Sequence, residues 1–534
     1  MNPDDPLDVF VHPSSVLEER AHLLEALTKA FPVRFRAAHQ VQSGPKGTLN
    51  FLASSAGRAR TLRYHEDECD IAARPITFVG DVDRRLKTRM LVERRSGVRS
   101  LVREGPETAV LAELDGHPLW LRRTDSQSET DDVGAELREL NADEALRDRL
   151  TAGSFMPLVP LIEFLRALTI DRSWLPPPLR ATIVIDDPNL HWPTYGAIDY
   201  RELVSEARTH NFHAAMATVP LDGWFVHPRA AQIFRDNSRW LSLAIHGNNH
   251  SRNEFSRFTS TSKAESAVQQ ALQRIGTLER RSGLRASRVL IPPHEAFGQH
   301  AADALGRSSF EGISVTRAYP WTGDISRPFA APTSKLRLSG WRAADFVTDW
   351  VPAVLRRGLF EHEEIMIRSY LDLPLVIYGH VDDVLTGLEP LVDAASLING
   401  QGDVMWMPLD ELLATNFESR RVGHQMDIRP LGRSIKVEVP GSVDRLRIHD
   451  DASVDGTEFK LHSDNARFRR CSEGNFEIDR TSEVETLAVN LFRPPARRSL
   501  GQKTPVSATA VLRRALAESR DRVVFRRRKC HDQR

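Results

Sequence analysis

Short apolar runs alternate with longer amphipathic segments over residues 180–410, and this alternation constrains the fold more than any other feature of the sequence. Apolar runs rich in β-branched residues are typical of buried strands, and the segments between them have helical periodicity. The predicted strands cover residues 182–185, 214–219, 241–245, 289–291, 313–316, 346–348 and 375–378. The predicted helices cover 200–209, 228–236, 262–281 and 388–398, the last followed by a strand at 404–407. Strands separated by helices in this way predict a parallel α/β barrel or closed sheet.

The regions on either side predict further domains. Residues 1–123 mix short strand-like and helical runs, which favours an N-terminal α/β domain. Residues 124–178 are predicted to be a linker and helical connector, because they begin with a polar stretch and end in three prolines. The barrel is expected at 179–422. Short segments within 423–500, at 434–439, 446–448, 459–461 and 487–491, alternate strictly between apolar and polar residues, which predicts a small antiparallel β-sandwich. Residues 501–534 are expected to form a basic, solvated tail.

Charge and cysteine content exclude several classes of function. Lysine plus arginine and aspartate plus glutamate both total 72, so no net charge favours nucleic acid or an anionic membrane as a partner. The three cysteines are far apart, which predicts neither a disulfide framework nor a zinc knuckle. The chain begins without the pattern of a signal peptide, and its most apolar window is too short and interrupted to span a bilayer. We therefore expect a cytoplasmic protein.

Two adjacent carboxylates, Asp186 and Asp187, follow directly after the first predicted strand of the barrel. In parallel α/β folds, ligands bind at the C-terminal ends of the strands. Neighbouring carboxylates repel each other, and a bound cation is the commonest reason to tolerate that repulsion. The alternative is a solvated Asp-Asp-Pro turn.

Two histidines, His246 and His250, follow the third predicted strand with a spacing of four residues. Such a pair can converge on one ion if the intervening residues form a tight turn, which Gly247 and two asparagines favour. Two imidazoles and one carboxylate are a common ligand set for a divalent metal with an open coordination position. The alternative is a chance pair in a chain with 19 histidines.

Further polar residues follow two later strands. His294 and Glu295 come after a strand and two prolines, and His380 closely follows another apolar run. A histidine at that position is expected to face the mouth of the barrel, where Asp382 and Asp383 could orient it or raise its pKa. The alternative is a rim histidine with satisfied hydrogen bonds.

The order of these motifs resembles that of the NodB-type polysaccharide deacetylases. The similarity covers roughly residues 180–415 and consists of Asp-Asp at a first strand end, His-x-x-x-His, a proline-rich third segment and a late apolar-x-x-His. The resemblance implies a distorted (β/α)₇ barrel, an N- or O-acetylated glycan as the substrate, and a bound zinc or similar divalent ion.

Carried over by position, the resemblance implies that Asp187, His246 and His250 are the metal ligands. Zinc is the expected ion, although this ligand set also admits cobalt, iron or nickel. Asp186 would be the general base that takes a proton from the attacking water. His380 would be the general acid that protonates the leaving amine or alkoxide.

The remaining residues near these motifs are expected to bind the carbohydrate substrate. They are His294 and Glu295 in the third segment, Trp350 in a loose match to the family's Asp-Trp element, and Asp382 beside the late histidine.

The sequence departs from the family pattern at two positions. Pro188 follows Asp187 directly, without the usual intervening glycine, and Ile291 replaces the arginine that orients the base. Arg288 is the substitute that the sequence offers nearby. The departures leave two alternatives to a deacetylase, namely a catalytically degenerate barrel that binds a glycan or protein partner and another barrel hydrolase acting on a different amide.

Overall fold

The computed structural model describes residues 5–38, 48–55, 58–141, 144–295, 297–316, 345–348, 351–449, 459–482, 484–493 and 508–512, and residues 514, 516 and 519. The chain divides into two compact units. One comprises Met1–Leu175, Ser334–Arg342 and Glu363–Leu373, and the other comprises Pro176–Thr333, Ala343–His362 and Pro374–Arg534. No helix in the described ranges is long and apolar enough to cross a membrane.

The first unit contains a mixed sheet whose nine described strands follow the order β2-β1-β3-β4-β9-β8-β7-β5-β6. The strands are β1 (Leu7–His12), β2 (Val33–Ala37), β3 (Thr48–Ser55), β4 (Arg58–His65), β5 (Arg74–Phe78), β6 (Met90–Glu93), β7 (Thr108–Leu114), β8 (His117–Thr124) and β9 (Ser128–Val133). The helices are α1 (Val16–Glu19), α2 (Ala21–Ala30) and α3 (Leu158–Thr169). The core of this unit contains fully buried Phe51, Tyr64, Phe78 and Trp120.

Strand β9 occupies a segment that the sequence predicts to be a linker. It pairs with β4 in parallel and with β8 in antiparallel orientation. Its polar side chains are held by ion pairs, since Arg122 Nε lies 2.7 Å from Asp131 Oδ1 and Arg63 Nη1 lies 3.0 Å from Asp132 Oδ1. Cross-strand charge pairs stabilise this strand in place of apolar alternation, which is why its pattern does not reveal it.

The second unit begins with the barrel, which alternates strands and helices. The strands are β10 (Arg180–Asp186), β11 (Thr194–Tyr195), β12 (Ile198–Asp199), β13 (Ala214–Thr218), β14 (Leu241–His246), β15 (Ala286–Ile291), β16 (Gly312–Val315), β17 (Asp345–Thr348), β18 (Val351–Gly358), β19 (Leu375–His380) and β20 (Met405–Trp406). The helices are α4 (Tyr200–Thr209), α5 (Pro228–Asp236), α6 (Thr261–Ser282), α7 (Gln299–Gly306), α8 (His362–Tyr370), α9 (Glu389–Asn399) and α10 (Leu409–Ala414). Most of α8 is grouped with the first unit.

Seven of the described strands form a closed ring. Strands β10, β13, β14, β15, β16, β18 and β19 pair in that order, all in parallel, and β19 pairs with β10 to close the ring. This arrangement confirms the predicted (β/α)₇ barrel.

Small and branched side chains fill the interior of the barrel. Ala215, Ala217 and Ala244 share a buried cluster with Leu409 and Leu412 of α10. The Ser287 hydroxyl, at the start of β15, donates to Asp410 of the same helix at 2.6 Å. Helix α10 therefore closes the N-terminal end of the barrel, which leaves the C-terminal end for a site.

One predicted barrel strand is wrong. The sixth strand of the ring is β18 (Val351–Gly358), whereas residues 346–348 belong to β17, which pairs with β18 in antiparallel orientation. The sequence of β18 contains a proline and two consecutive arginines, so it lacks the continuous apolar run of a buried strand. One of those arginines, Arg356, lies in the site described below.

The chain continues into two small sheets that enclose one apolar core, as the β-sandwich prediction expects. The sheets are not wholly antiparallel as predicted, because Gln425–Pro430 and Arg445–Ile448 pair in parallel. The strands are β21 (Phe417–Val422), β22 (Gln425–Pro430), β23 (Ser434–Pro440), β24 (Arg445–Ile448), β25 (Lys460–His462), β26 (Ala466–Ser472), β27 (Asn475–Arg480) and β28 (Thr486–Phe492). The first sheet has the order β21-β22-β24-β27-β26 and the second has the order β23-β28-β25. Val437, Val439, Leu487 and Val489 alternate inward from the second sheet.

Candidate metal and catalytic site

The polar residues that the sequence places at strand ends meet at the C-terminal rim of the barrel. Asp186 ends β10 and pairs in register with His380 at the end of β19. His246 ends β14 and pairs with Ile291 at the end of β15. Parallel strands bring their C-terminal ends to one edge, so residues far apart in the sequence become neighbours.

Asp187, His246 and His250 bring three possible ligand atoms within 4.8 Å of one another. Asp187 Oδ1 lies 2.9 Å from His250 Nε2 and 3.7 Å from His246 Nε2. This oxygen is buried and accepts no hydrogen bond from any residue that the structure describes, in spite of the nearby imidazole nitrogens. Two imidazoles and a carboxylate in this arrangement fit a divalent ion.

The protonation state of His246 suits a metal ligand. Its Nδ1 lies 3.1 Å from the Ile291 carbonyl oxygen, so Nδ1 carries the proton and donates while Nε2 faces Asp187. Burial lowers the pKa of His246 to about 4, which keeps the ring neutral near pH 7. Burial opposes ionisation of Asp187, but the His250 and His246 rings and the Arg514 guanidinium outweigh it and hold the pKa of this carboxyl well below its usual range.

The turn between the two histidines is anchored by two charged side chains, buried Glu254 and partly buried Arg274. The Glu254 carboxylate accepts hydrogen bonds from the backbone amides of Asn248 and Asn249, at 3.1 and 2.9 Å. Arg274 Nη1 donates to the side-chain oxygens of the same asparagines, at 2.6 and 2.9 Å. Gly247 has a φ of 66°, and a Cβ added there would lie 2.5 Å from Pro293 Cγ, so only glycine fits this turn.

Several residues of the site have left-handed backbone, which is costly for side chains other than glycine. Asp187, His250, His294 and Glu295 have φ values of 80°, 54°, 57° and 56°. Such conformations cost about 1–3 kcal/mol each and persist where the surroundings enforce them, typically at functional sites.

Asp186 is held by an arginine that the sequence pattern does not predict. Arg356 Nη1, from β18, lies 2.9 and 2.8 Å from the two carboxylate oxygens of Asp186, and both side chains are buried. Arg356 Nε donates to Glu295 Oε1 at 3.0 Å. Arg288, the substitute suggested by the sequence, pairs instead with Glu279 at 2.7 Å. The arginine that contacts Asp186 therefore lies on β18 and not at position 291 or 288.

The other predicted residues are placed at the rim with different surroundings. His380 is 53% exposed, and its Nε2 lies 3.9 Å from Asp186 Oδ2. The carboxylate of Asp383 accepts the His380 backbone amide at 2.7 Å, whereas Asp382 is exposed. His294 is exposed, with its ring centroid 5.5 Å from that of His250.

Of the other two predicted substrate-binding residues, the structure describes Glu295 but not Trp350. The carboxylate of Glu295 pairs with Arg356 and also accepts the Thr316 backbone amide at 2.7 Å. Trp350 lies outside the described residues.

Arg514, in the segment expected to be a solvated tail, is buried against this site. Its Nε and Nη2 lie 2.9 and 2.8 Å from Asp222 Oδ2, and Nη2 donates to the Asp187 carbonyl oxygen at 3.1 Å. Its Nη1 lies 3.9 Å from Asp187 Oδ1. No spacing signal links residue 514 to the barrel motifs, so the contact can be found only in the folded chain.

Exposed aromatic side chains follow two of the strands that carry the site. Trp192 lies in the loop after β10, and Trp224 and Phe225 lie in the loop after β13. The His191 ring is 5.1 Å from Trp224 and 6.0 Å from Phe225, between ring centroids. His191 is buried, and its Nε2 lies 3.0 Å from the Asp222 carbonyl oxygen. Trp224 and Phe225 therefore pack against a ring whose position is fixed.

No protein-family model matches the chain, and no curated protein matches it. Solved structures similar to it include the carbohydrate deacetylase Agd3, with 8% identity and a TM-score of 0.41 over 79% of this chain and 82% of that one. They also include the family 4 carbohydrate esterase from Streptomyces lividans, with 11% identity and a TM-score of 0.25 over 42% and 86%. The peptidoglycan deacetylase PdaC from Bacillus subtilis has 10% identity and a TM-score of 0.26 over 45% and 92%.

These likenesses are remote, so a function for this chain depends on the geometry of its own site.

Proposed function

We propose that this protein is a metal-dependent hydrolase that removes acyl groups from a glycan. The observation that carries the proposal is the convergence of Asp187 Oδ1 with two imidazole nitrogens, directly beside a second carboxylate fixed by a buried arginine. A ligand cluster and an adjacent base are the two parts that metal-assisted hydrolysis requires.

Asp187, His246 and His250 would hold the ion, and zinc is the expected one. A divalent ion there would supply Lewis acidity to the acyl oxygen and to the attacking water. The neutral His246 ring and the ionised Asp187 carboxylate are the forms in which these side chains bind metals.

Asp186 would act as the general base. Arg356 fixes the orientation of its carboxylate and balances its buried charge, and Glu295 holds the other donors of that guanidinium. As water adds to the acyl carbon, Asp186 accepts the proton that the water loses. An arginine in this position supports catalysis over the alternative of a barrel that only binds.

His380 would act as the general acid. It lies at the exposed side of Asp186, where a leaving group bound at the rim could reach its ring. His380 would donate a proton to the departing nitrogen or oxygen as its bond to the acyl carbon breaks, giving a free carboxylic acid and an amine or hydroxyl.

The exposed aromatic rings in the loops after β10 and β13 support a glycan as the substrate. Trp192 and Trp224 are 51% and 65% exposed, in loops that follow two strands of the barrel rim. Exposed aromatic planes offer apolar contact area to ring-shaped ligands while leaving polar groups in water. The apolar faces of sugar rings match such planes.

The proposal is tested by the metal content of the purified protein. We expect one divalent ion per chain in the wild type, and about a tenth of that or less in Asp187→Asn and His246→Ala, because each variant loses a direct ligand. Asp382→Asn is the matched control, since this exposed aspartate lies at the same rim but outside the ligand cluster. A folded wild type that binds no added zinc would contradict the proposal.

A further inference from the structure

We propose that Arg514 is a positioning residue for the metal ligand Asp187, so that the C-terminal segment forms part of the active site. This inference rests on the metal site proposed above. It concerns a side chain separated from Asp187 by 327 positions in the sequence.

The first observation is the hydrogen bond from Arg514 Nη2 to the Asp187 carbonyl oxygen, at 3.1 Å. Asp187 has a φ of 80°, a backbone conformation that an aspartate does not favour by itself. The carbonyl bond fixes the peptide plane that follows this strained residue. The direction of the Asp187 carboxylate depends on the same backbone, so Arg514 helps to keep Oδ1 near the two histidines.

The second observation is that the charge of Arg514 is already balanced. Two of its nitrogens lie 2.9 and 2.8 Å from Asp222 Oδ2, and both side chains are buried. An unbalanced guanidinium 3.9 Å from Asp187 Oδ1 would compete with a cation for that oxygen. The close carboxylate of Asp222 offsets this repulsion, so the effect of Arg514 on position outweighs its effect on charge.

Asp222, the ion-pair partner of Arg514, also belongs to the barrel. Asp222 lies in the 3₁₀ turn that follows β13, and its carbonyl oxygen is bonded by the buried His191 ring at 3.0 Å. Arg514 therefore connects two neighbouring strand ends of the rim. Outer-shell partners that orient a ligand typically contribute about 10- to 100-fold to metal affinity.

A purely structural role is the competing explanation, in which the ion pair only attaches the C-terminal segment. The two roles differ in what they change. Loss of an attachment alters the free energy of unfolding but leaves the affinity of the folded protein for metal unchanged. Loss of a positioning contact weakens metal binding even when the variant is fully folded.

The experiment measures the Zn²⁺ dissociation constant of the full-length protein by competition with a chromophoric chelator, with folding checked by circular dichroism. We expect Arg514→Ala to weaken binding about 10-fold or more, and Arg514→Lys to fall between it and the wild type, because lysine keeps the charge but not the fork of donors. Leu512→Ala is the control for disturbing the segment, since this residue is exposed. It is expected to bind zinc as the wild type does.

The double variant Asp222→Asn/Arg514→Ala separates position from charge, because it removes both members of the ion pair. We expect it to bind zinc as weakly as Arg514→Ala. Wild-type affinity in the double variant, or affinity in folded Arg514→Ala equal to or tighter than that of the wild type, would overturn the inference. A wild type that binds no zinc would instead contradict the proposed function itself.

Discussion

Arg356 and Asp186 form a buried pair in which one guanidinium nitrogen lies 2.9 and 2.8 Å from the two carboxylate oxygens. The Tyr378 ring covers the guanidinium, with its centroid 4.4 Å from Cζ, and Glu295 takes up further donors. The guanidinium that pairs with Asp186 therefore comes from β18, 170 positions further along the chain.

Arg356→Lys is expected to lower kcat about 100-fold, a typical contribution of a correctly placed general base. Lysine cannot bridge Asp186 and Glu295 with a rigid fork of donors, so the base loses its orientation. Metal content should stay unchanged, because Arg356 contacts none of the three ligands. Arg357→Lys is the control, because it makes the same substitution at the next position of β18, in a side chain that donates to the Thr316 carbonyl oxygen at 2.7 Å. Equal kcat values for Arg356→Lys and the wild type would show that Arg356 does not support the base.

Gly247→Ala is expected to weaken both folding and metal binding. A Cβ at this position would lie 2.5 Å from Pro293 Cγ, on a backbone with a φ of 66°. We expect a loss of about 2–4 kcal/mol in the free energy of unfolding, measured with urea, from strain and overpacking together. Gly423→Ala is the control, because its φ is 61° but nothing lies within 4 Å of the added Cβ. A similar small loss in both variants would contradict the steric account.

His213 is expected to make stability depend on pH between about 4 and 6.5. Its Nδ1 donates to the Arg239 carbonyl oxygen and its Nε2 accepts from Ser242, both at 2.8 Å. Burial lowers the pKa of this histidine from 6.5 to about 4, against the opposing effects of the Arg239 carbonyl and of Asp410.

Below pH 6.5 the unfolded chain therefore binds a proton that the folded chain does not bind until about pH 4. Stability should fall by up to about 3 kcal/mol as the pH drops through this interval, and should not change from this group above it. Urea unfolding at several pH values measures the slope. His213→Asn should reduce the slope of unfolding free energy against pH by the contribution of one bound proton. His462→Asn, at an exposed position, should have the wild-type slope.

Trp224→Ala is expected to raise KM for an acetylated oligosaccharide about fivefold, as the loss of about 1 kcal/mol of aromatic contact predicts. The KM for a small aryl acetate should stay unchanged, because such a substrate does not extend to the ring. Phe492→Ala removes an exposed aromatic of the β-sandwich and serves as the control. A parallel change in KM for both substrates would indicate a general effect on the site instead of glycan contact.

The sequence predicts those parts of the site that lie at the ends of regular strands. Asp186, Asp187 and His246 end apolar runs, so the fold class alone brings them to one rim. His250 is separated from His246 by a local turn whose glycine and asparagines are visible in the sequence.

The remaining parts depend on polar residues that interrupt the patterns on which such predictions rest. Arg356 lies in a buried strand, and its charge is balanced by a carboxylate of β10 and by a carboxylate of the segment after β15. The aspartates of β9 are compensated in a similar way, by arginines on neighbouring strands. Arg514 has its partners 292 and 327 positions away. Compensation between distant charges is a property of the folded chain, and no local periodicity reveals it.

The central claim is tested most directly by acetate release from N-acetylated chitooligosaccharides and O-acetylated xylooligosaccharides. The zinc-loaded wild type should release acetate from at least one of them, lose this activity on treatment with a chelator, and regain it when zinc is added back. Asp186→Asn should retain one ion per chain, but its rate of acetate release should be lower than that of the wild type by about 100-fold or more. Undiminished release by the chelated wild type, or by zinc-loaded Asp186→Asn, would contradict a metal-dependent hydrolase with Asp186 as its base.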